Sequence, residues 1–271
     1  NCDEITDVRA IAKEKSLCLG CAPDTFMGAG IQTCRKLIDD GEIGAPLSAV
    51  AFMAGPGHES WHPSPQFFYQ PGGGPLFDMG PYYITALVNL LGPVKAVAGF
   101  SSKAQTERMI TSEPLNGTIM PVDVDTYHSA SMLFENGAIA NMVMSFDVWQ
   151  HSLPKLEIYG TEGTLFVPDP NTFGGPVKIS RRGNKAEDIE LIGEEGMRGA
   201  GLADIVVSLR EGRQHRANDE LAFHVLDIME SITHAGPTGA VIQIGSTCQR
   251  PAPLPAGLAD GEMGRWGSVV M

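Results

Sequence analysis

Residues Asp125–Asp147 read DTYHSASMLFENGAIANMVMSFD, two long β-prone runs joined by Asn136-Gly137. Asparagine followed by glycine supplies the positive φ angles of a tight hairpin, so the runs 125–135 and 137–147 are expected to pair as antiparallel neighbours. Both should be central strands. Downstream, Lys155–Tyr159 and Thr164–Val167 flank Gly160-Thr161-Glu162-Gly163 and repeat the strand–turn–strand pattern, and Val177–Arg181 with Ile189–Ile192 form a further pair. Upstream, Leu47–Ala54 and Val94–Phe100 read as strands, separated by a longer helix from about Phe77 to Leu91. The sum is a large, mostly antiparallel open sheet in an α+β domain. Helices cover one of its faces, and a second face left broad and partly apolar is expected to meet another subunit.

Two helices close this body, Leu202–Glu211 and Asp219–His234, the latter with Leu221, Val225, Ile228, Met229 and Ile232 on one side. Past Pro251 the Pro- and Gly-rich tail reads as irregular. At the other end, Asp3–Lys15 has helical spacing, with Ile5, Val8, Ile11 and Ala12 on one face, and Leu17–Ala22 reads as a short buried strand. A parallel sheet cannot be made from one helix–strand unit, so this end reads as cut. The amphipathic segment Gly28–Asp40 then starts the main domain, and Gly41 and Gly44 end its helix.

Of the 271 residues, 43% are hydrophobic and 19% charged, ordinary usage for a globular protein with a substantial core. Acidic residues outnumber basic ones 32 to 19, a formal charge of −13. That balance argues against a nucleic-acid backbone or an anionic membrane surface as partner and fits a small neutral ligand. There is no apolar run of membrane-spanning length, and the reading is of a soluble, cytoplasmic protein. The five cysteines do not suggest a disulfide framework. Cys18 and Cys21 have redox-like spacing but fall in the expected strand 17–22, so buried thiols are predicted, and no metal is expected.

The segment Gly72-Gly73-Gly74-Pro75-Leu76-Phe77-Asp78-Met79-Gly80-Pro81-Tyr82-Tyr83 carries the most chemistry. A glycine turn runs into a helix that puts Asp78 and Tyr82, four apart, on one face. Pro81 fits only in a first turn, which sets both polar groups at the mouth of the helix. The motif alone leaves two roles open, helix cap and core tyrosine or catalytic pair. Just upstream, Gly57-His58-Glu59-Ser60-Trp61-His62-Pro63 and Phe67-Phe68-Tyr69 gather aromatics and imidazoles, a composition suited to a sugar ring, with Trp61, His62 and Tyr69 as candidate substrate contacts. Gly28-Ala29-Gly30 and Gly55-Pro56-Gly57 lack the third glycine of a dinucleotide fingerprint and read as turns.

The ordered set of Lys36–Gly44, Gly72–Tyr82, Phe134–Ala138, Ile158–Gly163 and His224–Ile232, ending near Arg250-Pro251, resembles the Gfo/Idh/MocA oxidoreductases. The resemblance implies an α/β protein in which residues 1–25 are the last helix–strand unit of a truncated Rossmann domain. Residues 26–250 would then be the substrate-binding and oligomerisation domain, and 251–271 the irregular tail. It implies NAD or NADP as cofactor in the full-length protein, bound by residues this chain lacks, and a homodimer or homotetramer through the open sheet. The family's catalytic aspartate matches Asp78, and its histidine four residues on corresponds to Tyr82. The family's glycine fingerprint and Glu-Lys-Pro motif do not occur.

The function expected on this resemblance is hydride transfer between nicotinamide and a sugar, inositol or related polyol. Asp78 would position the reacting hydroxyl and Tyr82 would be the candidate acid/base, although a free phenol, near pKa 10, is a poor base at neutral pH. The fragment alone is expected to be inactive. The alternative is a non-catalytic sugar-binding or regulatory protein of the same fold, for which the tyrosine at position 82 is the main support.

Overall fold

A computed structural model describes residues 1–193 and 198–254; most of the expected irregular tail lies outside the described residues. The elements follow as α1 (Cys2–Glu14), α2 (Ala29–Asp39), β1 (Pro46–Ala54), α3 (Gly74–Leu91), β2 (Val94–Ser102), β3 (Glu107–Met109), β4 (Ile119–Pro121), β5 (Tyr127–Phe134) and β6 (Ile139–Ser145). Then come β7 (Leu156–Gly160), β8 (Gly163–Val167), β9 (Val177–Arg181), β10 (Glu187–Ile189), α4 (Ala200–Glu211), α5 (Asp219–Ala235) and β11 (Ile242–Gln243). Nine strands form one sheet in the order β10-β9-β8-β7-β1-β6-β5-β2-β11, and β3 and β4 form a separate ribbon. Among the described residues, β1 and β6 are the one parallel pair in the large sheet. The expected hairpin 125–147 is present as β5 and β6, inside the sheet rather than at its rim.

Two adjacent rows across the sheet show how period-two patterning sorts the faces. Val97, Met132, Ala140, Ala49, Ile158, Leu165 and Ile179 are lateral partners in register, and all are buried. They share one core with Ile31 of α2, Leu76, Ile84 and Leu87 of α3, and Ile228 of α5. Alanines at 49 and 140 leave room for α3, which crosses β1, β5 and β6, while α5 lies on β2 and β5 and α2 on β8 and β9. The neighbouring row, Ala98, Ser131, Asn141, Val50, Glu157, Phe166 and Lys178, faces away from the helices, none of it fully buried. This open face also carries Phe100 at 69% and Ile139 at 47% exposure. The expectation of one helix-covered face and one broad, partly apolar face is met.

Four expectations need correction. Residues Leu17–Ala22 are not a buried strand: they make one isolated bridge, Gly20 to Asn218, and Leu17, Cys18 and Cys21 are exposed. The run meets side chains rather than a sheet: Ile205 and His215 approach Gly20 and His215 Nε2 lies 3.1 Å from the Leu19 carbonyl oxygen, while α1, the helix before it, buries none of its own residues and is held to α5 through Arg9–Asp219 (2.7 Å). Second, α3 starts at Gly74, so Pro81 sits well inside the helix rather than in its first turn. It leaves the Phe77 carbonyl without its helical donor, a cost carried by burial of most of the helix. Third, the last strand of the sheet's far edge is 187–189, earlier than the expected 189–192. Fourth, the β3–β4 ribbon was not anticipated: three-residue strands are too short to show a period. Among the described residues no helix is long and apolar enough to cross a membrane.

Candidate active site

The turn before α3 is built by close approach. A Cβ on Gly73 would come within 2.6 Å of the Phe67 carbonyl oxygen and 2.7 Å of that of Phe68, so only glycine lets the helix start against the 65–69 turn. Asp78 is thereby carried to face the loop that follows β1. That loop is pinned: the carbonyl of Glu59 accepts from Thr111 N (2.9 Å) and Ser112 N (3.0 Å), and the carbonyl of His62 accepts from Ser112 Oγ (2.5 Å).

The pinned loop delivers His58 to Asp78, with Nε2 3.4 Å from Oδ2 and both side chains largely buried. This contact is an ion pair whenever the imidazole is protonated. The ring stacks on Phe68 at 3.8 Å between centroids and meets Phe146 edge-on at 4.6 Å, so its orientation is fixed by packing. Its Nδ1 is buried without a hydrogen-bond partner among the described residues. Trp61, 63% exposed, leans on His58 at 5.2 Å and on His62 at 5.4 Å, and His62 lies edge-on to Phe67 and Phe68. Asp78, Trp61 and His62 are thus gathered around a residue not singled out from the sequence. A histidine in a loop has no spacing relation to a helical aspartate, so nothing local signalled the pair.

Tyr82 and Tyr69 stand differently. Tyr82 is half-buried one turn beyond Asp78 and packs against the main core. Tyr69, expected as a substrate contact, has no exposed surface: its hydroxyl donates to Glu59 Oε2 and accepts from His58 N (3.3 Å). Burial, followed by the bond to Glu59, pushes this phenol well above its usual range, so it stays protonated and braces the loop. The ring of Tyr69 also lies 5.2 Å from the guanidinium carbon of Arg108, which bridges Glu59 and Asp147.

The glycines at 28 and 30 are spent on packing. A Cβ at Gly28 would sit 2.2 Å from the Phe173 carbonyl oxygen and one at Gly30 2.5 Å from that of Gly174, so the chain itself fills the space a pyrophosphate would need. The residues present therefore do not fit a dinucleotide at this turn, and no phosphate-holding role is assigned within the chain. No group of three or more potential metal ligands occurs among the described residues. A cavity of about 240 Å3 opens between α1, α3 and α5, lined by Pro81, Thr85, Val225, Leu19 and the α1 residues Ile5 and Val8; it is almost wholly apolar, and the carboxylate on its wall, Asp219, is paired with Arg9.

Residues 31–166 match the family described as the GFO/IDH/MocA C-terminal domain. The chain belongs to that family. The GFO/IDH/MocA fold is also seen in the comparison with solved structures. An NAD-binding oxidoreductase from Klebsiella pneumoniae superposes with a TM-score of 0.75 at 16% identity, over 90% of this chain and 70% of that one. The aldose-aldose oxidoreductase from Caulobacter crescentus, complexed with glycerol, gives 0.73 at 20% identity, over 89% and 68%. Levoglucosan dehydrogenase in complex with NADH and L-sorbose gives 0.68 at 20% identity, over 82% and 64%. At these identities the likeness is one of fold. No curated protein sequence matches the chain.

Proposed function

We propose that this chain is the substrate-binding part of a nicotinamide-dependent oxidoreductase acting on a sugar, inositol or related polyol, with Asp78 and His58 as its working pair. The observation that carries the reading is the 3.4 Å approach of His58 Nε2 to Asp78 Oδ2. Removing a hydroxyl proton as hydride leaves the adjacent carbon needs a base that titrates near neutral pH, which an imidazole does and a phenol does not. His58, from the loop after β1, would supply the imidazole that position 82 lacks, which weighs against a non-catalytic binder. In this reading His58 Nε2, the ring nitrogen that faces Asp78, takes the hydroxyl proton, Asp78 holds the substrate hydroxyl beside it, Trp61 offers an apolar face to the ring, and His62 buttresses Trp61. Tyr82 orients the substrate from the next turn of α3.

Support for the substrate class comes from relatives of the same fold recorded with glycerol and with L-sorbose, and for the cofactor from one recorded with NADH. NAD or NADP supplies the hydride acceptor. Its binding residues are assigned to a nucleotide-binding domain of the full-length protein, to which residues 1–25 would also belong; the 44%, 51% and 62% exposure of Val8, Ile11 and Leu17 supports that assignment. We assign the open sheet face to contacts between subunits of a homodimer or homotetramer.

The test is nucleotide-dependent oxidation of a panel of sugars and inositols by the full-length gene product. Asp78→Ala and His58→Gln are each expected to lower kcat by about 10²–10⁴-fold, and Tyr82→Phe by much less. Equal activity in wild type and His58→Gln would remove His58 from the chemistry. Sugar binding by calorimetry without turnover on any substrate would establish a binding protein instead.

A further inference from the structure

A second cavity, about 360 Å3, opens beside the Asp78 site. Its walls are Glu59 from the loop after β1, Arg108 and Met109 from the β3–β4 ribbon, and Phe146, Asp147 and Trp149 from the segment leaving β6. Arg108 is 8% exposed; its terminal nitrogens donate to Glu59, to Asp147 and to the carbonyls of Pro56 and Phe146, both at 3.0 Å. Its Nε–H has no acceptor among the described residues. That donor belongs to a residue lining the cavity, so a ligand seated there would bring acceptors beside an under-satisfied guanidinium. Two carboxylates around one guanidinium leave the floor net negative, which disfavours an anionic ligand. At the rim, the indole of Trp149 is 88% exposed.

An apolar aromatic face above a floor of donors and acceptors, with no tolerance for negative charge, matches a neutral polyhydroxylated ring: C–H groups against the indole, hydroxyls against Arg108, Glu59 and Asp147. The volume lies near the lower end of small-molecule sites, roughly 300–1,000 Å3, enough for a sugar ring. Position relates the two sites. His58 and Glu59 are consecutive, one facing Asp78 and the other this cavity, and Phe146 touches the ring of the first while lining the second.

We propose that this cavity is a second sugar subsite, holding the non-reacting ring of an uncharged disaccharide or glycoside whose reacting hydroxyl lies at Asp78. The proposal rests on the reading of Asp78 and His58 given above. The substrate class is thereby narrowed from single sugars to two-ring saccharides.

The ¹⁵N-labelled protein is titrated with maltose, cellobiose and glucose, following the indole N–H signal of Trp149 identified by its loss in Trp149→Phe. A disaccharide, anchored at both sites, is expected to move that signal at concentrations well below those at which glucose does. Trp149→Ala, a change at an exposed position, is expected to weaken disaccharide binding by about tenfold, or 1.4 kcal/mol, with glucose affinity unchanged. The proposal is overturned if neither disaccharide moves the Trp149 signal up to its solubility limit, or if Trp149→Ala weakens glucose as much as disaccharide. A failure of the underlying reading has a different signature: Asp78→Ala leaving both affinities untouched while the Trp149→Ala effect persists.

Discussion

At the scale of single residues, polar groups are placed by what buries them. His224 has no exposed surface; its Nε2 accepts from Val94 N at 3.0 Å and its Nδ1 lies 2.9 Å from Ser246 Oγ. Burial holds its pKa below the ordinary histidine value, against a smaller opposing pull from Asp227. His128 on β5 is depressed in the same direction by the same cause. The unfolded chain then binds protons that the folded chain refuses, so stability is fully present above about pH 6.5 and falls as the pH drops through the depressed folded values. Urea midpoints measured from pH 7.5 to 5 should decline below 6.5, and His224→Gln, which keeps an acceptor for Val94, should flatten part of that decline. An undiminished slope in the variant would place the titration elsewhere. Asp78 was legible as a candidate because it sits in a glycine–helix motif. His58 was not, since only tertiary folding brings it there, and the aromatic richness that pointed to Tyr69 equally describes a buried brace.

At the scale of elements, the β5–β6 hairpin was the most legible part of the chain. Its alternation is strict, and Asn136-Gly137 encodes the turn that joins it. Gly137 has φ +89°, and a Cβ there would meet nothing within 4 Å. The whole cost of Gly137→Ala is therefore backbone strain, expected at about 1 kcal/mol and read as a lower Tm with unchanged sugar binding. A loss several times larger would mean that the turn also carries tertiary contacts. Helix α3 was less legible: Gly74-Pro75 looks like a loop and Pro81 like a start signal, yet burial of Leu76, Ile84 and Leu87 against the sheet outweighs both local preferences. The run 17–22 shows the reverse case, an apolar stretch whose propensity finds no neighbouring strand.

At the scale of the whole molecule, the sheet's open face decides assembly. Phe100, Val143 and Phe52 face outward near one another across β2, β5, β6 and β1. If that face joins subunits, Phe100→Glu should convert a dimer or tetramer into smaller species on light scattering while far-UV circular dichroism is unchanged; a monomeric wild type would end the assignment. The period-two alternation made an open face readable, because one set of side chains is almost wholly apolar, His128 being its polar member on β5, but the strand order was beyond it. Nothing local in β1 says that it will lie between β6 and β7.

That insertion has a consequence for synthesis. Both neighbours of β1 come from much later in the chain, residues 139–160, so its two edges stay unpaired until the ribosome has moved on from residue 54 to residue 160. Until then α2, β1 and α3 present apolar surface and strand edges with nothing to close them, the condition under which nascent chains recruit holding chaperones or pair with each other. Once β6 and β7 emerge, β1 is sealed from both sides and the region that carries the candidate site closes late, as a unit.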